Sequence, residues 1–129
     1  ETKGERMILN YGHTFGHGIE AAAGYKKIVH GEAVAIGMVM AAHVAMELGI
    51  CPRSVAERQK ALLAKLRLPV SVEGLGLRSA VVARAMARDK KKAKGKLRFV
   101  LPVRIGKVII KTGVPAGEVR NLLRLFGAK

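Results

Sequence analysis

Histidine spacing gives the first indication of chemistry in this sequence. His13 and His17 stand four residues apart in the segment HTFGH, a spacing that places two imidazoles on one face of a helix, where they can converge on a metal ion. Zinc peptidases share this spacing but carry a glutamate, their general base, directly after the first histidine. Thr14 occupies that position here. The pair alone is a weak metal signal, and a peptidase is not expected.

The two other histidines differ in what they add. His30 stands at the start of an apolar run, and the loop before it is short enough to fold it back over His13, which favours metal binding. His43 lies thirteen residues further along the same predicted helix, about 20 Å away. We interpret His43 as a structural histidine of the core or surface. Glu20 shares a helix face with His17 and is a weak local candidate for a further metal ligand.

Glycines and potential anion-binding side chains surround these histidines. A glycine inside a helix costs up to about 1 kcal/mol relative to alanine. Several retained glycines therefore indicate close approach, either of another helix or of a ligand; they are Gly12, Gly16, Gly18, Gly24 and Gly31. Arg6 and Asn10 precede His13 closely enough to reach the same pocket, and an arginine can bind a carboxylate or phosphate at two points. These residues predict a pocket for an anionic substrate. They do not decide whether zinc binds there.

Apolar periodicity and glycine or proline breaks predict the elements that hold these residues. The second predicted helix is apolar almost all round, which is typical of a buried central helix. Two β-branched and aromatic runs, 97–101 and 107–111, are separated by Pro102 and Gly106 and predict a β-hairpin. The fold class is therefore mostly α with a small β-hairpin, in one domain over residues 1–129. The predicted helices cover residues 12–23, 31–48, 54–66, 78–88 and 115–126.

Composition limits the class of protein. The chain has 129 residues, half of them hydrophobic, and a net charge of +15. The hydrophobic content argues against disorder, and the single cysteine, Cys51, excludes an intramolecular disulfide and a cysteine zinc cluster. The polar start predicts no signal peptide, and the uncharged stretch Ala33–Met46 is too short for a membrane span, which needs about 18 residues. We expect a cytoplasmic protein without a membrane segment.

The densest positive charge lies in residues 88–98, which hold seven basic residues and one acid. Three interpretations stay open: a solvated basic loop, a loop that binds phosphate or carboxylate, and a nucleic-acid-binding segment. The segment contains no aromatic residue on which a base could stack before Phe99. Nucleic acid is therefore the least favoured partner.

Three segments in the same order resemble 3-dehydroquinate synthase. They read RMILNYGHTFGHGIE at 6–20, HGEAVAIGM at 30–38, and MARDKK followed by GKLRFVLPVRIG within 86–106. Together they cover about a third of the chain. A related sugar-phosphate cyclase is the alternative enzyme family.

The resemblance implies the helical C-terminal domain of the dehydroquinate synthase-like fold. It implies conversion of 3-deoxy-D-arabino-heptulosonate 7-phosphate into 3-dehydroquinate and phosphate, a carbon–oxygen lyase reaction of the shikimate pathway that leads to aromatic amino acids. NAD and zinc are the implied cofactors, and the implied partners are this anionic sugar phosphate and an N-terminal NAD-binding domain outside this chain. We expect no turnover from this chain alone, and self-association through the face that such a domain would cover.

The resemblance also implies the metal ligands. Members hold catalytic zinc with one glutamate and two histidines, and the histidines match His13 and His30. No residue of this chain matches the glutamate. There is likewise no glycine-rich turn between a strand and a helix in the sequence, so no NAD-binding residue is expected here.

The implied substrate residues lie in two of the matching segments. His17 matches a histidine that contacts the substrate, where it can orient hydroxyls or transfer a proton. Arg6 and Asn10 match substrate-binding residues. A lysine of the DKK motif, with a catalytic and substrate-binding role, falls on Lys90 or Lys91.

Overall fold

The structure is a computed structural model that describes residues 10–24, 28–92 and 97–129, with the side chains of all of these except 91 and 92. The predicted mostly α fold with a small hairpin is confirmed. In the described part of the chain, five helices and two strands follow one another: α1 His13–Ala22, α2 His30–Glu47, α3 Arg53–Lys65, α4 Ser79–Lys92, β1 Phe99–Arg104, β2 Lys107–Lys111 and α5 Ala116–Leu125.

Helix α2 is the centre of the core, as its apolar sequence predicts. It buries residues on all sides, including Ile36 and Met40, which are fully inaccessible to solvent. Helices α1 and α3 and strand β1 pack around it. Although α2 is 18 residues long, no helix within residues 10–24, 28–92 and 97–129 is long and apolar enough to cross a membrane.

Helix α4 is longer than its sequence pattern predicts. It continues to Lys92, whereas the prediction ended it at Arg88 and placed the basic run in a loop. Lysine and arginine are good helix formers, and the first glycine or proline after Gly76 is Gly95. The first basic residues of the run therefore have the fixed spacing of a helix, which a loop would not give them.

The β-hairpin covers one side of α1 and α2. Its strands are antiparallel, with Phe99 opposite Lys111 and Leu101 opposite Ile109. Gly106 adopts a φ of +88° in the turn, a conformation that glycine takes without steric cost. The ring centroids of Phe99 and Phe15 are 5.1 Å apart, so the hairpin packs directly on the buried face of α1.

The segment after α5 is tied to the chain that precedes α4. The backbone N–H of Val72 donates to the carbonyl of Phe126 at 2.9 Å. Lys129 donates to Leu77 and accepts from Ser79, both at 2.8 Å. These bonds satisfy backbone groups at the start of α4, where a helix has no partners of its own, and so fix the position of that helix.

Candidate metal centre

Helices α1 and α2 cross with backbone against backbone. A Cβ on Gly37 would overlap the carbonyl oxygen of Gly12 and lie 2.9 Å from the backbone N of Gly16. Gly12 itself has a φ of +82°, and a Cβ there would lie 2.6 Å from the carbonyl oxygen of Val34. Of the two sequence interpretations for Gly12 and Gly16, the structure supports helix packing.

The crossing brings three imidazole rings together. The ring centroids of His13 and His30 are 5.3 Å apart, although these residues belong to different helices. The ring of His17 lies 5.4 Å from that of His13 and 6.2 Å from that of His30. Two of these residues come from one turn of α1 and the third from the first position of α2.

A buried carboxylate holds the ring of His30. The Oε1 atom of Glu20 lies 2.9 Å from Nδ1 of His30, and Glu20 is only 8% exposed. A carboxylate can only accept, so Nδ1 of the ring is the donor. In the neutral imidazole the lone pair is then on Nε2, the atom available to a metal.

The ring of His13 is also held through its Nδ1, in this case by a backbone carbonyl. Its Nδ1 lies 3.3 Å from the carbonyl oxygen of Tyr11, so Nδ1 donates and Nε2 again carries the lone pair. The side chain of Tyr11 is in turn anchored, because its hydroxyl donates to Oε1 of Gln59. Nε2 of Gln59 donates to the carbonyl of Met38 at 3.0 Å. Burial raises the pKa of the Tyr11 hydroxyl well above its usual range, so the hydroxyl remains a donor.

The donor set of His13 and His30 fits a divalent metal. Two neutral imidazoles with Nδ1 engaged by acceptors are the usual form of metal-binding histidines. Within the described residues, no group of three or more His, Cys, Asp or Glu side chains has the arrangement of a metal site. A catalytic zinc normally has three protein ligands, so these two histidines can hold the metal only with a further ligand.

A cleft of about 400 Å³ opens beside the histidines, between α1, the start of α2, and α4. His17, Glu20 and His30 line one side, and Arg88 and Asp89 line the other. Arg88 was predicted only as the end of a helix and the start of the basic run, with no role at the site. Helical spacing could have identified Arg88, because it lies one turn after Ala85 on the same helix face, and Ala85 also lines the cleft.

Helix α4 approaches this cleft through a third glycine. A Cβ on Gly18 would lie 2.7 Å from Cγ of Met86. The absence of a side chain at Gly18 thus lets α4 pack on α1 beside His17 and brings Arg88 to the cleft.

The other predicted substrate residues are placed as follows. Asn10 is exposed, directly before Tyr11. Lys90 lines a different cleft, between α4 and the segment after β2, together with Thr112. Arg6 and the side chain of Lys91 lie outside the described part of the chain.

His43 lies apart from the other three histidines, towards the far end of α2. Its ring meets that of Phe126 edge-on at 5.6 Å, and its Nε2 is 3.4 Å from Oε1 of Glu47. These contacts agree with its interpretation as a structural histidine.

This fold is similar to that of solved sugar-phosphate cyclases. A 2-deoxy-scyllo-inosose synthase, complexed with carbaglucose-6-phosphate, NAD+ and Co2+, superposes with a TM-score of 0.84 at 26% identity, over 96% of this chain and 36% of that one. A 2-epi-5-epi-valiolone synthase from Streptomyces hygroscopicus, with NAD+ and Zn2+ bound, gives 0.79 at 26% identity, over 92% of this chain and 32% of that one.

Within this class, the chain belongs to the 3-dehydroquinate synthase C-terminal family, which matches residues 1–92. It is 50% identical over 119 residues to the 3-dehydroquinate synthase of Rhodopirellula baltica, covering 92% of this chain and 31% of that protein. It is 46% identical over 120 residues to that of Crocosphaera subtropica, covering 93% and 33%. The chain spans about a third of the length of these curated relatives. The resemblance seen in the sequence is confirmed.

Proposed function

We propose that this chain forms the metal- and substrate-binding part of a 3-dehydroquinate synthase. The whole enzyme would convert 3-deoxy-D-arabino-heptulosonate 7-phosphate into 3-dehydroquinate and phosphate. The proposal rests on the family match together with one observation, the 5.3 Å approach of the His13 and His30 rings from separate helices. Zinc bound there would polarise a substrate oxygen as a Lewis acid, and NAD would accept and return a hydride.

The remaining parts of the site are proposed to lie outside this chain. The chain covers 31–33% of its relatives, and its described residues include no third metal-binding side chain beside His13 and His30. We assign the third ligand, a glutamate, and the NAD-binding domain to the part of the enzyme that the relatives possess and this chain does not.

Side chains of this chain then have distinct roles toward the substrate. His17 is exposed and, among the described residues, makes no hydrogen bond through its ring. Its nitrogens are therefore available to hold a substrate hydroxyl or to transfer a proton. Asn10, Arg6 and a lysine of the DKK motif, Lys90 or Lys91, remain proposed substrate contacts.

Phosphate release by the complete enzyme tests the proposal. We expect turnover of the heptulosonate phosphate with NAD and zinc, and loss of both activity and zinc affinity in His13→Ala and His30→Ala. His43→Ala is the matched control, because His43 has its own partners away from the cleft. Full activity in His13→Ala would contradict the proposal, as would turnover by the 129-residue chain alone.

A sister cyclase is the second candidate, because solved structures similar to this chain include a 2-deoxy-scyllo-inosose synthase and a 2-epi-5-epi-valiolone synthase. A panel of sugar phosphates offered to the complete enzyme separates the two candidates. A product other than 3-dehydroquinate, with the same dependence on His13 and His30, would transfer the proposal to that family.

A further inference from the structure

We propose that Glu20 is a positioning residue that holds His30 in its metal-binding form; the inference rests on the proposed metal site. His30 needs such a partner because its side chain is 56% exposed. An exposed imidazole exchanges between two tautomers and two ring orientations, and in only some of these states does Nε2 present its lone pair to the site. The bond from Nδ1 to Oε1 of Glu20, 2.9 Å long, selects one state.

Glu20 is itself well suited to hold another residue in place. Its side chain is 11% exposed and lies in the last turn of α1, directly after the buried Ile19. No buried side-chain nitrogen or oxygen in the described residues lacks a hydrogen-bond partner. A buried carboxylate without a partner would be costly, so the contact with His30 stabilises both the fold of α1 and the orientation of the ring.

The geometry distinguishes this role from that of a metal ligand. An oxygen that accepts from Nδ1–H lies on the opposite side of the imidazole from the lone pair of Nε2. A metal on Nε2 of His30 is therefore out of reach of that Glu20 oxygen. Glu20 was predicted as a weak candidate for a further metal ligand. Its contact with Nδ1 instead gives it the outer position that commonly supports a metal-binding histidine.

Glu47 offers a matched control for the experiment. It forms the second histidine–glutamate contact of the described residues, 3.4 Å from His43, and is 66% exposed. A change from glutamate to leucine thus removes the acceptor for a histidine in both places, whereas glutamine keeps an amide oxygen that can still accept. Only one of the two partners is beside the proposed metal site.

The test measures zinc affinity of the complete protein by competition with a chelator. We expect Glu20→Leu to weaken zinc binding by about 10- to 100-fold, Glu20→Gln to weaken it less, and both Glu47 variants to bind as the unmodified protein does. Unchanged zinc affinity in a folded Glu20→Leu protein would overturn the proposal. A loss in Glu20→Gln as large as in His30→Ala, with a changed visible spectrum of bound Co2+, would also overturn it and make Glu20 a ligand.

A second measurement needs no substitution, so it tests the role of Glu20 even if the Glu20→Leu protein does not fold. Nitrogen-15 NMR of the metal-free protein reports the tautomer of each histidine ring. We expect the proton of His30 on Nδ1, and a predominance of the Nε2–H form would overturn the proposal. Failure of the proposed function looks different: zinc would then bind the His30→Ala protein as tightly as the unmodified one.

Discussion

Gly37 of α2 packs against the carbonyl group of Gly12 with no side chain between them. His13 follows Gly12 directly, and His30 lies two turns before Gly37 on the same helix. The distance between the two imidazoles is therefore set by a contact of backbone with backbone. Such a contact has no rotamer that can adjust, so it determines both the packing of α1 on α2 and the separation of the proposed metal ligands.

Replacement of Gly37 tests this dependence. In Gly37→Ala the added Cβ overlaps the Gly12 carbonyl, and we expect a loss of about 3 kcal/mol in the free energy of unfolding, the upper end for overpacking of a core. We also expect weaker zinc binding. Gly31→Ala is the control, because a Cβ there meets nothing within 4 Å. Urea unfolding of the complete protein measures both variants, and equal stabilities would contradict the prediction.

Arg88 is predicted to bind an anionic group of the substrate. It lines the histidine cleft, and a charge-assisted hydrogen bond contributes about 1.5–3 kcal/mol. We therefore expect Arg88→Ala to lower kcat/KM of the complete enzyme by about 10- to 150-fold, mainly through KM. Arg120→Ala, on the exposed face of α5, should leave kcat/KM unchanged. Equal kinetics of the two variants would remove Arg88 from the site.

Thr14 is predicted to have a structural role. Its hydroxyl donates to the carbonyl of Arg98 at 2.6 Å, which ties α1 to the start of the hairpin. Thr14→Val keeps the shape of the side chain and removes the bond, and should cost about 1 kcal/mol of stability while zinc affinity is retained. Thr112→Val, at an exposed threonine, is the matched control and should not lower the stability. Thr14 and Thr112 variants of equal stability would show that the bond contributes nothing.

Tyr11 predicts a difference in stability at alkaline pH. Burial raises the pKa of its hydroxyl in the folded protein above the ordinary value of 10.0. Above about pH 10 the unfolded chain releases this proton while the folded chain keeps it, so stability falls as pH rises, by up to about 1.4 kcal/mol per pH unit. Tyr11→Phe lacks this proton.

The comparison requires urea unfolding of both proteins at pH 8 and between pH 10 and 11.5. At pH 8, Tyr11→Phe should be less stable by about 1 kcal/mol, because the bond to Gln59 is lost. The difference in stability between the unmodified protein and Tyr11→Phe should shrink as pH rises, and at the highest pH the variant should be the more stable protein. Parallel stability curves would exclude the ionisation of Tyr11 as the cause.

The sequence predicted the elements and the meeting of His13 with His30, but not the contacts that orient these rings. Periodicity and the breaks at glycine and proline are local properties, which is why the helix bounds are close to those observed. The bond between Tyr11 and Gln59 joins residues 48 positions apart, and no local pattern encodes it. Glu20 was placed on the correct helix face, yet which nitrogen of His30 it meets depends on side-chain rotation.

Arg88 shows a second reason for a missed residue. The predicted helix 78–88 ended at Arg88 because the basic run after it was interpreted as a loop, and the Arg88 side chain was given no role at the site. Lysines and arginines are compatible with a helix. Helix α4 continues through Asp89 to Lys92, so Arg88 is an interior helix residue that lines the cleft together with Ala85 and Asp89. A run of charge is thus a poor marker of a helix end when neither glycine nor proline is present.

The bonds from Lys129 to Leu77 and Ser79 have a practical consequence for anyone who trims or tags this protein. These bonds fix the start of α4, and α4 carries Arg88 and Asp89, which line the histidine cleft. We expect that removal of residues 127–129 would loosen α4 and change the shape of the cleft, although nothing near the imidazoles had been altered.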